Sequence, residues 1–333
     1  MRFIRAAIAA IALCLLVVGP VAATGPGASE LHATHYYLSL GDSLSVGVQP
    51  VGSPTNNQPL PGGYADQLWE MERGQYADLQ LVKLGCPGES TTTMIGGGGQ
   101  CAYDHGSQLN EAVSFLRAHH RFVAFVTIDI GFGDFACMID ISCLGQGYTQ
   151  IAANLPTILS ALRAAAGPDV PIVGTTIYDP FLAYWLAGPQ GQQLAYASVY
   201  QAVLPLNQML TATYLAGTAK VADVEGAFFT TEWDPPILTT MGPLPKNVAT
   251  VCAWSWACVA GNNHANLAGY HVMADAFESA FIRSAFSPRR RRPIPAGPVR
   301  PGRPAGPGPR PRRGRRRPAS RGCWRRGRWR SCR

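Results

Sequence analysis

The sequence predicts an α/β fold: a three-layer α/β/α sandwich around a central, mainly parallel five-stranded sheet. Three observations predict it. Five short apolar or alternating stretches are separated by segments with a helical repeat, the pattern of successive β–α units. One of them, Phe122 to Ile130, is nearly all apolar, as a central parallel strand buried on both faces requires. Three of the stretches end in small or polar residues, at the strand edge where open α/β sheets place their ligands.

The first strand is His35 to Leu40, aromatic and partly alternating, and it breaks at Gly41-Asp42-Ser43. Gln49 to Gly63, rich in Pro, Gly and Asn, reads as a loop over that strand end. Tyr64 to Tyr76 carries Leu68, Trp69 and Met71 on a helical repeat. Leu79 to Leu84 is the second strand and ends at Gly85-Cys86-Pro87-Gly88. Ser90 to Gln100 holds three threonines and a glycine run, with no Gly-Lys-Ser/Thr to make it a phosphate-binding loop. Gln108 to His120 reads as a helix, and the central strand that follows ends in Gly131-Phe132-Gly133-Asp134. Ile151 to Ala166 is helical, and Pro171 to Thr176 is the fourth strand. Gln190 to Leu215 is a helix with a kink expected at Pro205. Val221 to Val224 is a weaker fifth strand, Thr230 to Asn262 a long irregular stretch, and Leu267 to Ser284 a closing amphipathic helix.

The ends of the chain differ from its body. Residues 1–23 have Arg2 and Arg5, an apolar run from Ala6 to Val18, and Val21-Ala22-Ala23, the layout of a cleaved export signal. That run is shorter than the ~20 apolar residues a membrane span needs. Export fits the cysteines. Besides Cys14 there are six in the body, Cys86, Cys101, Cys137, Cys143, Cys252 and Cys258, and two at the end, Cys323 and Cys332. An even count in an exported chain points to disulfides; six cysteines allow about fifteen pairings, and proximity favours neighbours in sequence. No Cys-x-x-Cys spacing supports zinc.

The whole chain carries 28 Lys+Arg against 20 Asp+Glu, a net charge of +8. The excess is local: residues 287–333 hold 18 Arg and no acid, leaving 10 basic against 20 acidic residues before them. Residues 24–286 suit one α/β domain. The Arg/Pro/Gly tail at 287–333 lacks the apolar content to offset chain entropy and is expected to be disordered. It reads as a solvated polycation drawn to an anionic cell envelope. Two other readings are a nucleic-acid arm with Trp324 and Trp329, and an out-of-frame gene end. The acidic body argues against specific nucleic-acid binding.

The residues with chemical potential are Ser43 after the first strand, Gly85 after the second, the Gly131-to-Asp134 turn after the third, and His264. The last stands in Asn262-Asn263-His264-Ala265-Asn266-Leu267-Ala268-Gly269-Tyr270, at the end of the irregular stretch, a place suited to a general base. Together these blocks resemble the GDSL, or SGNH-hydrolase, family of serine esterases and lipases, in its secreted actinobacterial form. The resemblance spans Tyr36 to Phe286. Gly41-Asp42-Ser43-Leu44-Ser45 is similar to its nucleophile block, Leu84 to Ser90 to its glycine block, and His264 to Tyr270 to its histidine block.

The resemblance implies a flavodoxin-like sheet and cofactor-free acyl transfer to water, with Ser43 as nucleophile and His264 as base. It implies an oxyanion hole from the backbone N–H groups of Ser43 and Gly85, with Gly133 at the third position. It also implies an ester or lipid small-molecule substrate; a monomer is a separate expectation of this reading. Two departures bear on rate. The family's Gly-x-Asn-Asp reads Gly131-Phe132-Gly133-Asp134, so the Asn donor is absent, and the Asp three residues before the histidine is Gly261. Asn262 or Asn263 is then left to fix the histidine tautomer. The other expectation is a catalytically silent relative that binds acyl lipids or glycan esters in the same cleft. Phe181, Tyr184 and Trp185 are candidates for an acyl groove.

Overall fold

The computed structural model describes residues 34–76, 78–135 and 141–285, with side chains at 141–143 and 282–285 left aside. The export signal at 1–23, the tail at 287–333 and the Cys137–Cys143 pair lie outside the described residues. In chain order the main elements are β1 (His35–Gly41), α1 (Tyr64–Glu72), β2 (Leu79–Lys83), α2 (Gln108–His119) and β3 (Val123–Asp129). These are followed by α3 (Ile141–Ala166), β4 (Ile172–Thr175), α4 (Leu204–Ala216), β5 (Lys220–Ala222) and α5 (Leu267–Ala285).

The five strands pair in the order β2-β1-β3-β4-β5, and every pairing is parallel. This is the 2-1-3-4-5 order of flavodoxin-like sheets, and it reverses direction between β1 and β3. The register sets Gly41 opposite Asp129, so the first and third strands end side by side.

Strand alternation builds two cores. Leu38 and Leu40 of β1 and Val126 and Ile128 of β3 face one side, where they meet Leu109, Leu116, Ile151, Leu155 and Leu210 from α2, α3 and α4. Tyr37, Phe125 and Val173 face the other, against Tyr64 and Leu68 of α1 and Tyr270, Met273 and Phe277 of α5. Helices on both faces of a sheet whose central strands are buried on each side make the three layers.

The structure departs from the sequence reading in four places. Thr230 to Asn262 is not irregular. It holds a hairpin (Ile237–Thr239 with Gly242–Leu244), the nine-residue helix Lys246–Trp254 and a short turn Ala257–Ala260. Val248 and Val251 bury one turn apart and fix that helix by packing, which its β-branched composition disguises. The Gln49-to-Gly63 loop contains a short hairpin, Val48–Pro50 with Asn57–Pro59. Helix α3 begins ten residues before Ile151. Gly147 interrupts the apolar pattern there because a Cβ would meet the Phe135 ring and the Asp134 carbonyl at 2.8 Å. The helix expected from Gln190 to Leu215 is three segments, Pro189–Ala197, a π-helical turn at Ser198–Val203 and α4. Pro205 has no N–H and its ring crowds the carbonyl four residues back, so the wider turn falls just ahead of it.

Candidate active site

The turn after β1 is held from several directions. Gly41 has φ +128°, and a Cβ there would run into the carbonyl and carboxyl of Asp129. The Leu44 N–H donates to Asp42 Oδ1 at 3.0 Å, an Asx-turn, and the Ser45 hydroxyl donates to the Asp42 carbonyl at 2.7 Å. Sequence reading missed Gln108, the fully buried first residue of α2. Its Oε1 accepts the Gly41 N–H at 2.7 Å and its Nε2 donates to the Gly41 carbonyl at 2.9 Å. Gln108 therefore clamps both polar backbone atoms of the residue two before Ser43. No local pattern signals this, because the partners are 67 residues apart.

The second strand end is laced to the same turn. The Cys86 N–H donates to the Gly41 carbonyl at 3.0 Å, and Gly85 packs so closely on Ser45 and the Asp42 carbonyl that no side chain fits there. Among the described residues neither the Ser43 N–H nor the Gly85 N–H has an acceptor. Uncommitted N–H groups on a rigid turn are what stabilises a developing oxyanion. Gly133 is different: a Cβ there would overlap the backbone carbonyl of Glu89. Asp134 accepts the Thr91 N–H at 2.9 Å and its hydroxyl at 2.6 Å, which makes it a brace for the short helix Thr91–Gly96.

His264 is buried, and its Nδ1 lies 2.7 Å from Asn262 Oδ1. Asn262 Nδ2 donates to the Pro54 carbonyl at 2.8 Å and to Asn57 Oδ1 at 2.7 Å. The Pro54 carbonyl, which only accepts, and the His264 backbone N–H, which donates to Asn262 Oδ1 at 3.1 Å, assign the amide orientation: the oxygen must face the histidine, so Nδ1 carries the proton and Nε2 keeps its lone pair. Of the two asparagines left open by the sequence, Asn262 is the one in contact. Asn263 instead accepts the Tyr178 hydroxyl on its backbone carbonyl at 2.6 Å. Gly261, with φ +59°, is the left-handed cap of Ala257–Ala260. Burial pushes the His264 imidazole down to about 4, and among the described residues no carboxylate is bonded to it to raise it. Burial pushes the Asp42 carboxyl up to about 7, opposed by the Leu44 N–H and the Ser43 hydroxyl.

Ser43 and His264 line one narrow cleft with Leu44, Phe132, Ile177 and Pro180, and its volume is about 20 Å³. No hydrogen bond joins the two side chains among the described residues. Catalytic hydrogen bonds are often loose before substrate binds. An open groove of about 240 Å³ adjoins the cleft at Pro180 and Asn263, walled by Phe181 and Tyr184. Trp185 lies elsewhere, 5.4 Å from the Trp233 ring centroid in the second core. Disulfides join Cys86 to Cys101 and Cys252 to Cys258. Among the described residues no group of three His, Cys, Asp or Glu side chains is placed to hold a metal ion.

A second serine–histidine–carboxylate chain lies on the surface of α2. Ser114 Oγ is 3.1 Å from His105 Nε2, and His105 Nδ1 is 2.8 Å from Glu111 Oε2. Ser114 sits inside the helix, where backbone N–H groups serve the helix itself and none is free for an oxyanion. The Ser43 turn has free donors and the Ser114 helix does not.

No family model matches the chain, and no curated protein matches it in sequence. Solved structures similar to it include the lipase Lip_vut3 from a goat rumen metagenome, at 17% identity and TM-score 0.45, covering 74% of this chain and 97% of that one. The acetylxylan esterase Axe2 from Geobacillus stearothermophilus is 14% identical with TM-score 0.44, over 75% of this chain and 95% of its own. TesA is 14% identical with TM-score 0.41, over 74% and 98%.

Proposed function

We propose that the chain is an exported carboxylic ester hydrolase of the GDSL type that works through a Ser43–His264 pair. One observation carries this reading: Ser43 stands on a clamped turn, with its own N–H and that of Gly85 unengaged, in the same cleft as a histidine whose tautomer is fixed for accepting a proton. Ser43 Oγ attacks the ester carbonyl carbon while its proton passes to His264 Nε2. The carbonyl oxygen takes the electron pair and is held by the two N–H groups. Collapse expels the alkoxide, which takes the proton from His264. Water then attacks the acyl-serine by the same route and frees the acid. Asp42 and Asp134 hold loops and take no proton in this scheme.

The base is weak. An imidazole near 4 is fully neutral at pH 7, but it sits about three units below the pH at which it works, and proton transfer slows accordingly. The missing bond between Ser43 and His264 favours one alternative, a protein that binds acyl esters in the cleft and does not turn them over. Hydrolysis of 4-nitrophenyl acetate by the full chain, beside Ser43→Ala and His264→Gln, separates the two. The esterase reading expects turnover lost in both variants. Wild-type hydrolysis no faster than Ser43→Ala would refute it and leave the binding reading. Export by residues 1–23, a monomeric state and attraction of the 287–333 polycation to an anionic envelope complete the proposal. Two disulfides are compatible with an oxidising compartment.

A further inference from the structure

Ionisable side chains are missing from one part of the molecule. Residues 180–219 hold no Asp, Glu, Lys, Arg or His, although 14% of the chain is charged, and residues 235–245 hold none either. The same two stretches supply nine of the 13 large hydrophobic side chains that are exposed among the described residues. Leu215 lies apart from the other eight, beside Asp223 and Glu225.

Trp233 ties the two stretches together. Tyr196 stacks on its ring with centroids 4.1 Å apart and planes 4° from parallel, and Trp185 lies 5.4 Å away. The Trp233 indole N–H donates to the Tyr200 hydroxyl at 3.0 Å. Leu186 and Leu194 flank this cluster on the turn Pro180–Ala187 and the helix Pro189–Ala197, which pack on each other. The hairpin Ile237–Thr239 with Gly242–Leu244 follows Trp233 directly. Its base is closed by the Lys246 N–H, which donates to the Trp233 carbonyl at 3.1 Å, and by Leu244, buried in the second core. Its tip projects, with Leu238 82% and Met241 51% exposed. Tyr184, in the same turn as Leu186, also walls the groove beside the Ser43 cleft, so the face borders that site.

Apolar residues gathered in one charge-free patch mark a docking surface, whereas scattered ones do not. Its composition selects the partner. Tyr and Trp rings with polar tips, set among Leu and Met, match the level of a bilayer where hydrocarbon gives way to headgroups. A projecting apolar hairpin enters a yielding medium, while a protein partner would need a recess shaped to Leu238 and Met241. The ionisable groups at the border are Asp234 and Glu232, the latter paired with Lys246 at 2.7 Å, so anionic headgroups find no attraction there. We propose that this face docks on a lipid bilayer of zwitterionic headgroups. Leu238 and Met241 enter the acyl region, and Tyr196, Tyr200 and Trp233 lie at headgroup level. The contact needs neither the Arg-rich tail nor catalysis at Ser43.

The test is flotation of the full chain with phosphatidylcholine vesicles in ~1 M NaCl, where the Debye length is about 3 Å. These conditions give the Arg-rich tail no anionic surface to bind. Wild type should float with the vesicles. Leu238→Ser combined with Met241→Ser should lower its partition at least about tenfold, because both side chains lose their burial in lipid. The buried Leu244 is untouched, and an unchanged Tm checks the fold. Phe122→Ser, at the far end of the sheet from Ser43, should bind as wild type does. Ser43→Ala should also bind unchanged, so failure of the esterase reading leaves this proposal standing. No flotation of wild type, or an equal loss in Phe122→Ser or Ser43→Ala, overturns it. Flotation only with phosphatidylglycerol vesicles at low salt assigns the binding to the tail and overturns it as well. A dimer in sedimentation equilibrium that the double variant abolishes, without vesicle binding, gives the face to a second copy instead.

Discussion

Asn262→Asp is the sharpest perturbation of the proposed site. It replaces the neutral oxygen 2.7 Å from His264 Nδ1 with a carboxylate. With the charge centres about 4 Å apart and an effective dielectric near 20, that pair gains ~4 kcal/mol. This corresponds to roughly three pKa units, so His264 should move from about 4 to near 7. The gain in turnover is smaller than the ~10⁴ seen when an acid-to-amide change spoils a triad. That loss includes a wrong tautomer, whereas here Pro54 and Asn57 already turn the Asn262 oxygen toward the ring. A rise of about 10- to 100-fold in kcat is expected. The cost falls on the other side of residue 262. The Pro54 carbonyl would face a carboxylate oxygen without a proton between them, destabilising the fold by ~1–3 kcal/mol, while Asn57 can flip its amide to donate. The assay is an NMR titration of the His264 ring with kcat measured on the same sample. A folded variant whose His264 still titrates near 4 would refute the proposed contact and the role built on it.

Three further outcomes follow from the same geometry. Gly133→Asn, which on sequence grounds restores a third oxyanion donor, should lower both Tm and activity because its Cβ meets the Glu89 carbonyl; higher activity at an unchanged Tm contradicts this. Gln108→Ala leaves the buried Gly41 N–H unpaired, while the Cys86 N–H still donates to the Gly41 carbonyl, so a loss of ~1–3 kcal/mol in urea unfolding is expected, and a loss below ~0.5 kcal/mol would show the clamp to be dispensable. His264 is protonated near pH 6.5 when unfolded and only near 4 when folded, so the unfolded state binds more protons between these values. Its contribution is present above pH 6.5 and lost as pH falls to 4, by about 3 kcal/mol. The difference in stability between wild type and His264→Gln should therefore shrink with acid. Subtraction removes Asp42, whose raised pKa acts in the opposite direction over the same range.

The parts of this fold that were legible in the sequence are those fixed by neighbours along the chain. Tyr37 to Leu40 alternate between two cores, Val123 to Asp129 are buried at almost every position, and both announce themselves as strands. Their parallel direction follows from the β–α alternation, whereas their order in the sheet does not. What could not be read is fixed by partners far away. The choice between Asn262 and Asn263 is decided by Pro54 and Asn57, more than 200 residues earlier. Gln108 looks like an ordinary helix start until Gly41 is placed against it. The helix Lys246–Trp254 forms because Val248 and Val251 find the second core, and its own propensity argues for a strand.

The two departures from the family pattern also have different physical meanings. Gly261 is open space: nothing lies within 4 Å of a Cβ there, and the residue serves as a left-handed cap whose orienting duty has moved one position on to Asn262. Gly133 is the reverse. Its side-chain space is filled by the carbonyl of Glu89, on the loop that starts at Gly85. That loop is tied in by the Cys86–Cys101 disulfide and by Glu89 Oε2, which accepts from Gln108 Nε2 at 2.9 Å. The segment that presents the Gly85 N–H thus occupies the place of the missing donor. A side chain at 133 displaces the loop that carries a donor already present, so the third donor cannot be added without weakening the second. On the proposed esterase reading the site has two donors, Ser43 and Gly85, and a faster enzyme would be sought at residue 262.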